Sequence, residues 1–180
     1  MILEDIVVST RERLRDRMVA LPLESLKAEA ARMGSDTGFP FERAISAPGL
    51  SVICEVKRAS PSRGTISRDF PYLEIAEEYE ACGASAVSVV TEPRYFGGAD
   101  VHLGRISSRI GIPVLRKDFT LDEYQIYEAR ALGASAVLLI CSILEDCELE
   151  SMIRTAHGLG MSALTEVRDE RELERALDAG

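Results

Sequence analysis

From residue 51 onward the chain alternates between short apolar blocks and longer amphipathic stretches. The apolar blocks predict strands at 51–57, 86–90, 113–117, 136–140 and 162–166. Between and after them, helical periodicity predicts helices near 71–82, 100–109, 121–132, 145–159 and 169–179. The step from helix into strand repeats in the letters, as C-G-A-S-A-V-S-V-V at 82–90 and L-G-A-S-A-V-L-L-I at 132–140. Strands this apolar on both faces, alternating with helices, call for a parallel sheet covered by helices.

Local chemistry marks the boundaries. Thr120 with Glu123 reads as a capping box, and Asp169 with Glu172 imitates one. Pro71 suits a first helical turn. Leu149, Met152, Ile153, Ala156 and Leu159 fall on one helical face. Gly83, Gly111, Gly133 and Gly160 each lie between a helix and the next strand, where a left-handed terminator is expected. The first third differs. Ile2, Leu3, Ile6, Val7 and Leu14 fit one helical stripe, and Leu23, Leu26 and Ala30 fit another after Pro22, followed by a loop at 34–40. The expected organisation is one domain over 1–180: a helical extension at 1–50, then five βα units at 51–180.

A (β/α)₈ TIM barrel and an open doubly wound sheet both satisfy this pattern. No G-x-G-x-x-G turn follows the first strand, which weakens the dinucleotide-binding form of the open sheet. The 180 residues fall short of the roughly 250 of a full barrel. Gly180 stands where Gly83 and Gly133 each precede a strand. The expectation is therefore a chain truncated before a sixth strand, with open sheet edges through which it would self-associate.

Charge and cysteine usage narrow the partners. A net charge of −9 argues against nucleic acid or an anionic membrane, but leaves a small anionic substrate open. Cys54, Cys82, Cys141 and Cys147 form no C-x-x-C pair and no zinc-like spacing with His102 or His157. They read as small buried hydrophobes in a reducing cytoplasm. The segment 1–18 is amphipathic and charged, unlike a signal peptide, and the longest apolar run, 134–144, is too short to span a bilayer.

Candidate chemistry gathers where the strands end. The first predicted strand closes on Glu55 and Lys57, the third on Lys117-Asp118 and the fifth on Glu166. Alternation puts Glu55 and Lys57 on one side with Ile53, and Cys54 and Val56 on the other. Any single charge there is explained by a strand reaching water. Two lysines and two glutamates on three strands, all at one end, favour a site, since barrels carry their chemistry on that face. Ser60-Pro61-Ser62-Arg63-Gly64 reads first as a turn, with a phosphate cradle as the alternative. Tyr95-Phe96-Gly97-Gly98 reads first as loop packing, with an apolar substrate wall as the alternative. His102 and His157 lie on predicted helices and receive no role.

Taken together, E-V-K-R-A-S-P-S-R-G (55–64), V-V-T-E-P-R-Y-F-G-G (89–98), P-V-L-R-K-D-F (113–119), Y-Q-I-Y-E-A-R-A-L-G-A (124–134), V-L-L-I (137–140) and L-T-E-V (164–167) resemble the indole-3-glycerol phosphate synthase family. The resemblance covers essentially the whole chain and about two thirds of the family's usual length. It implies a TIM barrel, of which this chain supplies the helical extension and about the first five βα units. It also implies a cytoplasmic carbon–carbon lyase (carboxy-lyase) of tryptophan biosynthesis, with no metal and no organic cofactor. The implied substrate is 1-(2-carboxyphenylamino)-1-deoxyribulose 5-phosphate, closed to indole-3-glycerol phosphate with loss of carbon dioxide and water.

Matched position by position, the resemblance makes Lys117 the general acid and Glu166 the acid–base glutamate. Lys57 becomes the lysine that holds the substrate carboxylate and serves dehydration, and Glu55 a supporting catalytic glutamate. Ser60 becomes a substrate-binding serine, and Phe96, Phe119 and Leu138 the wall around the anthranilate ring. The family's strand-6 asparagine, strand-7 serine and phosphate grip have no counterpart here, so this chain alone is expected to be inactive. The competing readings are another phosphate-binding barrel, such as a sugar-phosphate isomerase, and a non-catalytic half-barrel that pairs with another chain.

Overall fold

The computed structural model describes residues 2–180; Met1, at the head of the amphipathic N-terminal segment, lies outside them. The chain opens with α1 (Ile2–Ala20), α2 (Leu23–Arg32) and the short α3 (Pro40–Ile45). There follow β1 (Ile53–Val56), a ribbon of β2 (Ala59–Ser60) and β3 (Gly64–Thr65), and α4 (Tyr72–Ala81). Next come β4 (Ala86–Val90), α5 (Pro93–Phe96), α6 (Asp100–Arg109), β5 (Val114–Lys117) and α7 (Glu123–Ala131). The chain continues with β6 (Ala136–Ile140), α8 (Asp146–Gly158), β7 (Ser162–Glu166) and α9 (Glu170–Ala179).

The sheet has order β1-β4-β5-β6-β7, with every pair parallel. Chain order and sheet order coincide, so there is no reversal of winding of the kind that defines the open doubly wound fold. These are the first five strands of a (β/α)₈ barrel. Alternation sorts the side chains. Val56, Val87, Val89, Val114, Val137 and Leu139 face the helices and share the main core with Leu103, Ile106, Ile126, Leu149 and Ile153. Ala86, Leu115 and Ala136 face the other way and pack against Phe41 of α3, which is 1% exposed, with Ile45 and Leu164 at the margin. The helical extension thus places α3 against the inner face of the sheet, below the strand ends that carry the charges.

The α1 face that packs inward runs through Ile6, Thr10 and Leu14, at helical spacing. Ile2, expected on that stripe, is half-exposed. Tyr124 of α7 joins Leu14 and Leu26 in a third apolar cluster, and its hydroxyl donates to the carbonyl oxygens of Arg17 and Leu21 at 3.2 and 3.0 Å.

Some local expectations are corrected. The cap of α7 is Asp122, whose carboxylate accepts from Tyr124 N at 2.9 Å; Thr120 lies two residues too early and is buried. Asp169 does accept from Glu172 N (2.8 Å), but the Glu172 carboxylate turns to Arg168 instead of closing the box. Gly83, Gly133 and Gly160 have φ of 87°, 85° and 72°, whereas Gly111 is not left-handed, because α6 ends in extended backbone at Ile110. Only Cys141 among the cysteines is buried; Cys82 and Cys147 are exposed and Cys54 is intermediate. No helix among the described residues is long and apolar enough to cross a membrane.

Candidate active site

The parallel register brings the C-terminal ends of the strands level. Lys117 pairs with Val90 and Glu166 with Ile140, each at the C-terminal end of its strand, so the charges of β5 and β7 stand at the same end of the sheet. A cavity of about 120 Å³ opens there, lined by Glu55, Lys57, Val90, Phe96, Lys117, Asp118, Phe119, Leu138 and Ile140. Lys117 Nζ donates to Glu166 Oε2 at 3.2 Å across the top of β6. Lys57 Nζ donates to Glu55 Oε1 on the opposite rim. Both lysines are about one-third exposed, enough to meet a ligand and still be held by a partner.

The apolar part of the lining comes from β4, α5, β6 and the segment that follows β5. Leu138 of β6 is buried at the cavity floor, and Phe96 and Phe119 face each other with ring centroids 6.1 Å apart. Phe96 is placed by Glu92, whose carboxylate accepts from the backbone N–H of Arg94, Tyr95 and Phe96 at 3.0, 2.7 and 3.1 Å. That carboxylate satisfies the otherwise free donors of the one-turn helix α5. The chain then folds so tightly that a Cβ on Gly98 would lie 2.4 Å from the Val90 carbonyl oxygen. Only glycine lets the loop return over β4.

Of the eight side chains singled out from the sequence, Glu55, Lys57, Lys117, Phe96, Phe119 and Leu138 line the cavity directly. Glu166 joins through Lys117 and is about half exposed. Ser60 lies outside this cavity, in an adjoining groove of about 650 Å³. The groove shares Lys57, Phe96 and Phe119 with the cavity and adds Ser62, Arg63 and Ile66 together with Ile2, Leu3 and Ile6 of α1. The segment 59–65 is a two-stranded antiparallel ribbon, not a plain turn, with Ser60 paired to Gly64. Cavity and groove together fall in the roughly 300–1,000 Å³ range of small-molecule pockets. His102 and His157 lie on α6 and α8, neither in the cavity nor in the groove. Among the described residues no group of three or more His, Cys, Asp or Glu side chains is arranged to hold a metal ion.

A charged cluster behind β5 was not legible from the pattern. Arg116, 1% exposed, donates from Nη2 to Asp100 (2.9 Å) and Glu128 (2.7 Å), and from Nη1 to the carbonyl of Gln125 (3.1 Å). Burial alone would lower its pKa, but the carboxylates of Asp100, Glu128 and Asp118 outweigh that and raise it. Burial would raise the pKa of Asp118; Arg116, Arg13 and the Thr91 hydroxyl more than reverse this and hold the carboxyl below its usual range. The hint in the letters was Arg116, a charge on the face of β5 opposite Lys117 that it shares with Val114.

The sequence model of the family described as indole-3-glycerol phosphate synthase matches residues 3–180. The indole-3-glycerol phosphate synthase of Ruminiclostridium cellulolyticum is 47% identical over 180 residues, covering 100% of this chain and 69% of the relative. That of Endomicrobium trichonymphae is 49% identical over 180 residues, covering 100% and 70%. Indole-3-glycerol phosphate synthase 1 of Streptomyces coelicolor is 44% identical over 179 residues, covering 99% and 66%.

Proposed function

The chain belongs to the indole-3-glycerol phosphate synthase family, and from that membership we propose which of its side chains perform the decarboxylating ring closure. The family's reaction is that of a carbon–carbon lyase of tryptophan biosynthesis acting on a phosphorylated small molecule. An aromatic ring carbon attacks a ketone, carbon dioxide leaves and restores aromaticity, and the resulting hydroxyl is expelled as water. Each stage has a distinct demand: a proton for the ketone oxygen, an anchor for the carboxylate, and an acid–base group for dehydration.

In this reading Lys117 donates the proton to the ketone oxygen as the carbon–carbon bond forms. Its position at the end of β5, inside the cavity and beside Glu166, supports that role. Glu166 serves dehydration as the base that takes a proton from the ring system while the hydroxyl leaves as water with the proton supplied by Lys57. Lys57 holds the substrate carboxylate and supplies a proton during dehydration, and Glu55 orients the Lys57 ammonium through their ion pair. Phe96, Phe119 and Leu138 enclose the anthranilate ring. Ser60 contacts the part of the substrate that extends into the groove under α1. The helical extension at 1–50 and the βα units at 51–180 act as one domain in this scheme. The free cysteines, two of them exposed, fit a reducing compartment, and we assign the protein to the cytoplasm.

The observation that carries the reading is the convergence of two lysine–glutamate pairs around one apolar-walled cavity. The test is Lys117→Ala in the full-length protein, with formation of indole-3-glycerol phosphate followed by its fluorescence. We expect kcat to fall by about 10²–10⁴-fold with a far smaller change in KM, because a general acid acts in the transition state. An effect confined to KM would refute the assignment.

A further inference from the structure

The charged cluster behind β5 takes no part in the chemistry above, yet it joins the helical extension to the strand that carries Lys117. Arg116 and Asp118 flank Lys117, and alternation sends their side chains to the opposite face, where each is 1% exposed. Asp118 is held from every side. Its Oδ1 accepts from Arg13 Nη2 of α1 at 3.0 Å and from the backbone N–H of Phe119 at 2.9 Å. Its Oδ2 accepts from Thr91 Oγ1 at 2.8 Å and from Arg116 Nη2 at 3.5 Å. One helical turn beyond Arg13, Arg17 bridges Glu128 at 2.7 Å and also meets Asp100, the two carboxylates that hold Arg116. Arg13, Arg17 and Arg116 thus balance Asp100, Asp118 and Glu128.

This arrangement is costlier than apolar packing, since every charge in it must give up water. What it provides is a fixed geometry. The residue after Lys117 is clamped by its side chain, and the same carboxylate captures the next backbone N–H, so the chain leaves β5 along one path. Lys117 and the Phe119 ring, both on the cavity wall, inherit that path.

We propose that Asp118, anchored by Arg13 of α1, is a positioning residue for Lys117 and Phe119, so that docking of the N-terminal helix sets the geometry of the acid. The inference rests on the reading of Lys117 as general acid. It assigns α1 a part in turnover through its polar face, separate from any contact its first turn makes in the groove. A misplacement of about 1 Å at a reacting group can cost on the order of 10²-fold in rate.

The test uses the full-length protein with Asp118→Asn, Arg13→Met, Arg13→Lys and, alongside, Lys117→Ala. kcat, KM and the thermal midpoint are measured for each, with kinetics taken well below the midpoint. We expect Asp118→Asn and Arg13→Met to lower kcat by about 10- to 100-fold while KM stays within about threefold. Arg13→Lys, which returns a cation to the same site, should recover most of what Arg13→Met loses. A lowered midpoint with kcat intact would reduce the cluster to a structural support and overturn the proposal, as would a Lys variant no better than Met. Should Asp118→Asn fail to fold, the Arg13 variants, at a side chain that reaches solvent, decide alone. A kcat that survives Lys117→Ala overturns the acid assignment and this inference together. A kcat lost there but kept in Arg13→Met and Asp118→Asn overturns the inference alone.

Discussion

Phe41→Ala probes how the helical extension supports the strand ends from below. Phe41 is 1% exposed and packs on Ala86, Leu115 and Ala136, with Ile45 and Leu164 beside it. Burial of a phenyl ring removes about 150 Å² from water, worth about 4 kcal/mol at 25 cal/mol per Å². The cavity left behind adds to this, because Ala86 and Ala136 are small, fixed in strands, and unable to fill it. The expected loss therefore lies in the upper part of the usual range, about 4–5 kcal/mol. For a chain of this size that corresponds to a fall in Tm of roughly 10–15 °C. Leu115 precedes Lys117 by one inward position and Leu164 precedes Glu166 likewise, so the ring touches the layer below the site and not the site itself. kcat at 25 °C should stay near the parental value. The assay is urea and thermal unfolding of the full-length variant, with activity measured in parallel. A loss under about 1.5 kcal/mol would refute the argument that α3 is buried against the inner face of the sheet.

Other perturbations reach different parts of the same framework. Glu166→Gln should lower kcat by about 10²-fold or more by slowing dehydration, and in single-turnover reactions carbon dioxide release should run ahead of indole formation followed by fluorescence; equal slowing of both would count against the assignment. Asp118 carries a carboxyl held below its usual range, so its contribution to stability is present above its unfolded pKa and lost as pH falls through the lower folded value. Unfolding free energy should therefore drop steeply only below about pH 4, and Asp118→Asn should flatten that drop, as denaturant titrations across pH would show. Gly98→Ala places a methyl carbon 2.4 Å from the Val90 carbonyl oxygen, a backbone atom that cannot step aside, and should cost about 1–3 kcal/mol and weaken substrate binding by moving Phe96. An unchanged Tm and KM would contradict the close approach.

The sequence by itself determined the βα repeat and with it a parallel sheet covered by helices; the strand order that separates a barrel from a doubly wound sheet belongs to the tertiary structure. β4, β6 and β7 begin and end where alternation of apolar blocks and amphipathic stretches puts them; β4 and β6, buried along their whole length, leave the nearly continuous apolar signature of strands covered on both faces. Polar strand ends nominated Glu55, Lys57, Lys117 and Glu166, since side-chain parity along a strand is fixed by covalent geometry and does not depend on what surrounds it. The pairing of those charges was decided only in three dimensions. Lys117 reaches Glu166, 49 positions away in sequence, because β5 and β7 flank a single strand. Tertiary structure likewise decided that Phe41 packs inside the sheet, that Ser60 opens onto a groove beneath α1, and that Arg13 meets Asp118, 105 positions on. Local periodicity reports which face of an element avoids water. It carries no record of which distant element covers that face, and a charge that looks solvated in the letters becomes a buried partner only when another chain segment brings it a counterion.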